Sequence, residues 1–188
     1  MVPSAVFNEA ILFSTVLAVR AVIRRAPRAQ APLAFRFFTV LSNLFCALTA
    51  LILLVCELFG SMPAWAVILK FVGTVSVMVT FLTVLLFLWP STGSIHGLWD
   101  GPELVMHLIT PVLALLSFLC FERGTMSPWA IPLGILPVAL YGWLYLNRVV
   151  VARTWEDMYG FNKNGQWKLS FALMLAGTAL ISVLLWVL

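Results

Sequence analysis

Long apolar runs separated by short polar breaks make up almost the whole chain. Pro, Gly and charged residues divide it into six runs, at about 4–23, 35–59, 64–89, 103–121, 129–147 and 169–188. A helix needs ~20 apolar residues to cross the ~30 Å hydrocarbon core of a bilayer, and each run meets that length. None of the runs alternates apolar and polar residues as a membrane β-barrel strand does. The pattern therefore predicts an all-α polytopic membrane protein, in which residues 1–188 form one domain, a bundle of six transmembrane helices.

Composition excludes a soluble globular protein. Hydrophobic residues make up 63% of the chain and charged residues 10%, and the mean hydropathy is +1.07. A soluble domain carries about a quarter charged residues. The net charge of +4 comes from basic residues at the ends of apolar runs, so no nucleic-acid partner is expected. The three cysteines lie inside apolar runs without metal-ligand spacing, and no cofactor is expected.

Basic residues collect on one predicted side of the membrane. Those on this side are Arg20, Arg24, Arg25, Arg28, Arg36, Arg148, Arg153, Lys163 and Lys168. The opposite side holds only Lys70 and Arg123. Because cytoplasmic loops accumulate Lys and Arg, this count predicts a multi-pass protein of the inner or plasma membrane with both termini on the non-cytoplasmic side.

His107 is the most informative polar residue of the chain. It lies about four residues inside the fourth run, where an ionisable group is costly and is a candidate for function. Glu103 precedes it by one helical turn and is placed to orient or charge the imidazole. A structural histidine that forms a hydrogen bond between helices fits this position equally well.

A polar stripe opens the second run. Thr39, Ser42 and Asn43 stand at positions i, i+3 and i+4, so they share one helix face, which is expected to point into the bundle. Most such hydroxyls only form hydrogen bonds between helices. The second and fourth helices run in the same direction, and Thr39 and His107 each lie about four residues, or roughly 6 Å, past the start. The two residues are therefore expected at matching depth, on the side of the polar connection 148–168.

Two segments carry a family resemblance. They are Phe37-Phe38-Thr39-x-x-Ser42-Asn43 and Met106-His107-x-x-Thr110-Pro111. They resemble the androgen-induced and androgen-dependent TFPI-regulating membrane proteins and their bacterial relatives, which have six spans. The animal members are threonine hydrolases that cleave fatty acid esters of hydroxy fatty acids. The resemblance implies that Thr39 is the nucleophile, that His107 is the catalytic histidine, and that the substrate is a lipid ester.

Four further residues are candidates to support that chemistry. Asn43 is one turn from Thr39 and is a candidate hydrogen-bond donor to the oxyanion, with Ser42 beside it. Glu103 and Asp100 are the candidate acids behind His107. The segment from Trp155 to Asn162 resembles a stretch of bacterial relatives to which no chemistry is attached, and it is expected to cap the opening.

Two other functions remain open at this stage. The protein is alternatively a small transporter or lipid-binding protein, with His107 and Glu103 as a proton-coupled pair. A third interpretation takes His96, Asp100, Glu103 and His107, spaced 4, 3 and 4 residues apart, as metal ligands.

Overall fold

The structure, a computed structural model, describes residues 3–27, 30–92 and 99–188. Within these residues, six helices are long and apolar enough to cross a membrane. They are α1 (Pro3–Arg25), α2 (Phe38–Leu58), α3 (Ala64–Leu88), α4 (Pro102–Glu122), α5 (Ala130–Val151) and α6 (Trp167–Val187). The predicted all-α architecture with six spans is confirmed. Two residues used above, Arg28 and His96, lie outside the described part of the chain.

Helix α3 lies at the centre of the bundle. It packs against α2, α4, α5 and α6, while α1 packs against α2 and α4. In the most apolar 18-residue stretch of α3, 56% of the residues are buried, compared with 22% in the corresponding stretch of α6. The main core cluster joins four helices through Phe71, Val72, Val75, Val79, Phe118, Ala130, Val138 and Leu185. Each functional residue described below is positioned by its contacts with this central helix or its neighbours.

Glycine allows α3 and α2 to approach closely. A Cβ atom added to Gly73 would lie 2.8 Å from Oγ1 of Thr49 and 3.3 Å from the backbone Cα of Cys46. Lipid tails are as apolar as the side chains, so close packing, not exclusion from water, drives helix association in a bilayer. This contact therefore fixes the distance between α2 and the central helix.

The start of α2 differs from the prediction. Residues Ala31–Arg36 form a separate 3-10 helix, with Pro32 near its N-terminus. Phe37, which follows this helix, is extended, with φ −89° and ψ 129°. Helix α2 therefore begins at Phe38, and Thr39 lies in its first turn. The prediction that Thr39 lies a full turn inside the helix is wrong. The apolar run continues through Phe37, whose extended conformation separates the 3-10 helix from α2, and hydropathy does not show this change in the backbone.

Short connections make successive helices antiparallel, as in residues 59–63 and 123–129. Helices α2, α4 and α6 consequently begin at the same end of the bundle, which we call the Thr39 end. Helices α1, α3 and α5 begin at the opposite end, which we call the Lys70 end.

Candidate active site

A narrow crevice lies beside Thr39. Its walls come from α2, α3, α5, α6 and the connection between α5 and α6. They consist of Phe38, Thr39, Val79, Thr80, Thr83, Val84, Leu88, Val138, Tyr141, Gly142, Tyr145, Tyr159, Phe161 and Met174. The part that is wide enough for a water-sized molecule amounts to about 30 Å³, which is room for one or two waters. The lining is apolar except for threonine and tyrosine hydroxyls.

The polar stripe of α2 faces the bundle. Ser42 Oγ lies 3.1 Å from the carbonyl oxygen of Thr39 and 2.8 Å from Oγ1 of Thr80 on α3. Ser42 and Asn43 are both buried. Ser42 therefore acts as a link between the first turn of α2 and the central helix.

Asn43 links the Thr39 turn to the start of α4. Its Nδ2 donates to the carbonyl of Thr39 at 2.8 Å and to the carbonyl of Met106 at 3.0 Å. Met106 directly precedes His107, so the structure brings the two sequence-predicted segments together. Both amide hydrogens of Asn43 are engaged with carbonyls. Donation to an oxyanion would therefore require one of these bonds to open.

His107 is buried in the first part of α4, with 7% of its surface exposed. It lies in a π-helical turn, Val105–Ile109. Pro111 accounts for this turn, because proline has no N–H for the carbonyl of the residue four positions earlier and its ring crowds that carbonyl. Single π-helical turns are frequent at functional sites. The imidazole packs edge-on against Trp99, with the ring centroids 6.4 Å apart.

The candidate acids behind His107 lie near the surface. Glu103 Oε2 is 3.2 Å from Nη1 of Arg25, and their side chains are 28% and 62% exposed. Asp100 is exposed and comes directly before Gly101, whose φ of +57° forms the turn into α4. The carboxylate of Glu103 is thus engaged with the end of α1.

The metal hypothesis rests on four residues, of which His96 lies outside the described part. The other three are Asp100, Glu103 and His107, described above. Over the ranges that the structure covers, no group of three or more His, Cys, Asp or Glu side chains is arranged to hold a metal ion.

A tyrosine cluster forms the polar side of the crevice. The Tyr159 hydroxyl accepts a hydrogen bond from the N–H of Phe38 at 2.9 Å, and its ring packs against that of Tyr141, with the centroids 6.5 Å apart. Burial raises the pKa of Tyr159, although hydrogen bonding to the phenol opposes the rise. The phenol is therefore neutral at physiological pH. Sequence reasoning did not single out Tyr141 and Tyr145, whose spacing of four residues on α5 was the available signal.

Sequence reasoning also missed a buried ionic cluster at the Lys70 end. Lys70 Nζ lies 3.4 Å from Oε2 of Glu122, and neither side chain has any exposed surface. Asn8 forms hydrogen bonds with both groups. Ser4 and Ser117 donate to Oε1 of Glu122 at 2.9 and 2.8 Å. Three helices, α1, α3 and α4, meet at this carboxylate.

Lys70, which the sequence analysis counts among the basic residues near the ends of the runs, has a completely buried side chain. Lys70 is the seventh residue of α3, which begins at Ala64. Apolar residues surround it in the sequence, and this is the signal that could have identified it, because a lone charge inside an apolar run requires a partner. Glu122, the last residue of α4, is that partner.

The Thr39 end therefore has a hydroxyl in the crevice wall and, next to the Met106 carbonyl that Asn43 binds, a buried imidazole that is not one of the crevice-lining residues. Acyl transfer requires these two groups, a nucleophile and a base. Comparison of this chain with protein-family models, with curated proteins and with solved structures finds no match.

Proposed function

We propose that this protein is an intramembrane lipid ester hydrolase, with Thr39 as the nucleophile and His107 as the general base. One observation carries the proposal: Asn43 fastens the crevice-lining turn of Thr39 to the backbone beside the buried His107. A threonine hydroxyl is a weak nucleophile unless a nearby base takes its proton. A buried hydrogen bond that joins the two segments supports this pairing.

The reaction has two steps. Oγ1 of Thr39 attacks the ester carbonyl carbon as its proton passes to His107, and the bond to the leaving alcohol breaks as the imidazolium returns that proton to the alcohol oxygen. A water molecule then attacks the acyl-threonine with the same histidine as base, which releases the carboxylic acid and regenerates Thr39. The crevice has room for this water.

Asn43 is the proposed donor to the oxyanion. Its amide lies one turn from Thr39 and already donates to the carbonyl of that residue. Release of one of its two carbonyl bonds when substrate enters would free a hydrogen for the developing negative charge. Removal of such a donor costs on the order of 3 kcal/mol of transition-state stabilisation in other hydrolases.

The proposed substrate class is a lipid ester, such as a fatty acid ester of a hydroxy fatty acid. Apolar side chains form most of the crevice wall and would contact an acyl chain, for which the present space of about 30 Å³ must widen. The first turn of α2 is the beginning of a candidate membrane span, and the ester groups of membrane lipids lie at the boundary of the hydrocarbon core, where spans begin. The resemblance to threonine hydrolases supports the same substrate class.

Proton-coupled transport by His107 and Glu103 has weaker support. The carboxylate of Glu103 pairs with Arg25 and is 28% exposed. Transporters usually bind their substrates and ions near the bilayer midplane, whereas these residues lie in the first turns of α4.

Covalent labelling tests the proposal. The purified protein is incubated with a lipid-like fluorophosphonate, and the modified residue is identified by mass spectrometry. We expect an adduct on Thr39 in the wild type and none in Thr39→Val or His107→Gln. The matched control is Thr83→Val, which removes another threonine hydroxyl from the same crevice and should label like the wild type. Labelling that persists in Thr39→Val, in protein with an unchanged thermal midpoint, would overturn the assignment.

A further inference from the structure

Residues 152–166, which connect α5 to α6 and which we call the cap, fold around one carboxylate. The N–H groups of Phe161 and Asn162 donate to Asp157 at 2.9 and 2.8 Å. The hydroxyl of Tyr145 on α5 also donates to Asp157, at 2.8 Å, and accepts the N–H of Tyr159 at 3.1 Å. The cap is therefore an ordered structure that is anchored to α5.

Two contacts attach the cap to the start of α2. The guanidinium of Arg36 lies over the ring of Trp155, 5.4 Å from its centroid. The hydroxyl of Tyr159 accepts the N–H of Phe38 at 2.9 Å. Phe38 is the first residue of α2, and no side chain of the preceding residue caps the helix. Its N–H has no acceptor within the helix, so the phenol of the cap supplies one.

The same phenol lies beside the proposed nucleophile. It accepts the N–H of Phe38, which directly precedes Thr39, and all three residues line the crevice. The position of the Thr39 hydroxyl in the crevice therefore depends on the conformation of the first turn of α2. A fixed phenol that accepts the first N–H of the helix holds that turn in place. Reactive groups gain large rate factors when they are held in an attacking geometry.

We infer that Tyr159 is a positioning residue that holds the first turn of α2, and with it Thr39, at the crevice, so that docking of the cap prepares the nucleophile. This inference rests on the proposed function. It assigns a role to the segment from Trp155 to Asn162, which neither the spacing of the candidate residues nor the family resemblance explains. The side chain acts through Thr39 and forms no bond with substrate in the reaction. Its loss is therefore expected to slow the chemical step and to leave binding of the ester unchanged.

The kinetics of fluorophosphonate labelling at Thr39 test this role. For Tyr159→Phe we expect the maximal labelling rate to fall by about tenfold or more, with the half-saturating probe concentration within about twofold of the wild type. Asn147→Ala is the control, since it removes a side-chain hydrogen bond on α5, to the carbonyl of Trp143, that lies outside the crevice. Its maximal rate should change by less than about threefold. Thermal midpoints of all variants are measured in the same detergent.

The outcomes separate the two proposals. A Tyr159→Phe variant that labels Thr39 at the wild-type rate overturns the positioning role and leaves the hydrolase proposal intact. Absence of any adduct on Thr39 in the wild type overturns both. If Tyr159→Phe does not purify in a folded form, Asp157→Asn decides, because Asp157 lies outside the crevice wall and its replacement weakens the fold of the cap that carries Tyr159. We expect it to lower the maximal rate, and an unchanged rate counts against the inference.

Discussion

The ammonium nitrogen of Lys70 lies 3.4 Å from Oε2 of Glu122, and both side chains are completely buried. Oε1 of the same carboxylate receives hydrogen bonds from Ser4, Asn8 and Ser117. Desolvation of two charges offsets much of their attraction. The main role of the pair is therefore to hold α1, α3 and α4 in a single arrangement.

Removal of one partner of this pair should be strongly destabilising. In Lys70→Met the carboxylate of Glu122 remains buried without its counter-charge, and the free energy of unfolding should fall by about 3–5 kcal/mol. The double variant Lys70→Met with Glu122→Gln should lose less, because no uncompensated charge remains. Unfolding in detergent, monitored by circular dichroism, measures both.

Lys163→Met is the control for this series, because Lys163 is exposed in the cap. Its stability should match that of the wild type within about 0.5 kcal/mol. Equal stability of Lys70→Met and Lys163→Met would show that the ion pair does not hold the helices together.

Replacement of Asn43 by alanine should loosen the junction between α2 and α4. Two buried hydrogen bonds are lost, to the carbonyls of Thr39 and Met106, each worth about 0.5–1.5 kcal/mol, while the carbonyl of Thr39 keeps its bond from Ser42 Oγ. Asn147→Ala is a close control: its Nδ2 donates to the carbonyl of Trp143 at 2.8 Å, but at an exposed site. Thermal unfolding of the two variants should therefore show a large decrease for Asn43→Ala and little change for Asn147→Ala. Similar midpoints would contradict the linking role.

Two glycines should respond oppositely to the same substitution. In Gly134→Ala the new Cβ would lie 2.5 Å from Oγ of Ser182 and 3.0 Å from the ring of Phe71, so α5 must move away from α6 and α3. Overpacking of this kind costs about 1–3 kcal/mol. Gly177 on α6 has no atom within 4 Å of such a Cβ, and alanine there should be neutral or stabilising by up to about 1 kcal/mol. Thermal unfolding midpoints of the two variants test this prediction. A midpoint of Gly177→Ala below that of the wild type would argue against this packing.

The docking of the cap should weaken at alkaline pH. Burial raises the pKa of Tyr159 in the folded protein, whereas the unfolded chain has the ordinary value of about 10. The folded state therefore binds this proton more tightly, and the associated stability is fully present below pH ~10 and declines above it. The ultraviolet absorbance of the wild type and of Tyr159→Phe is measured as a function of pH. The difference between the two titrations isolates the ionisation of this phenol. Its ionisation should occur above pH ~10, and a midpoint below that value would contradict the buried arrangement.

The fold was predictable because hydropathy is a local property. Six apolar runs, each long enough to cross a bilayer, can satisfy their backbone hydrogen bonds in lipid only as helices or as a closed barrel, and the absence of alternation excludes the barrel. The inward-facing stripe of Ser42 and Asn43 followed from helical periodicity in the same way. The extended conformation of Phe37 before α2 was not predictable in this way, because Phe37 is as apolar as the helical residues on either side of it.

The sequence by itself determined the helix count, the buried stripe on α2 and the candidate pair Thr39 and His107. The partners of those residues were decided only by tertiary structure: the ion pair of Lys70 with Glu122 spans 52 residues of sequence, and Tyr159 reaches Phe38 across 121. Periodicity shows which face of a helix is polar, but not which other helix meets that face. In a bilayer the close packing of small residues such as Gly73 selects the neighbours, and the chain must fold before distant polar groups can pair.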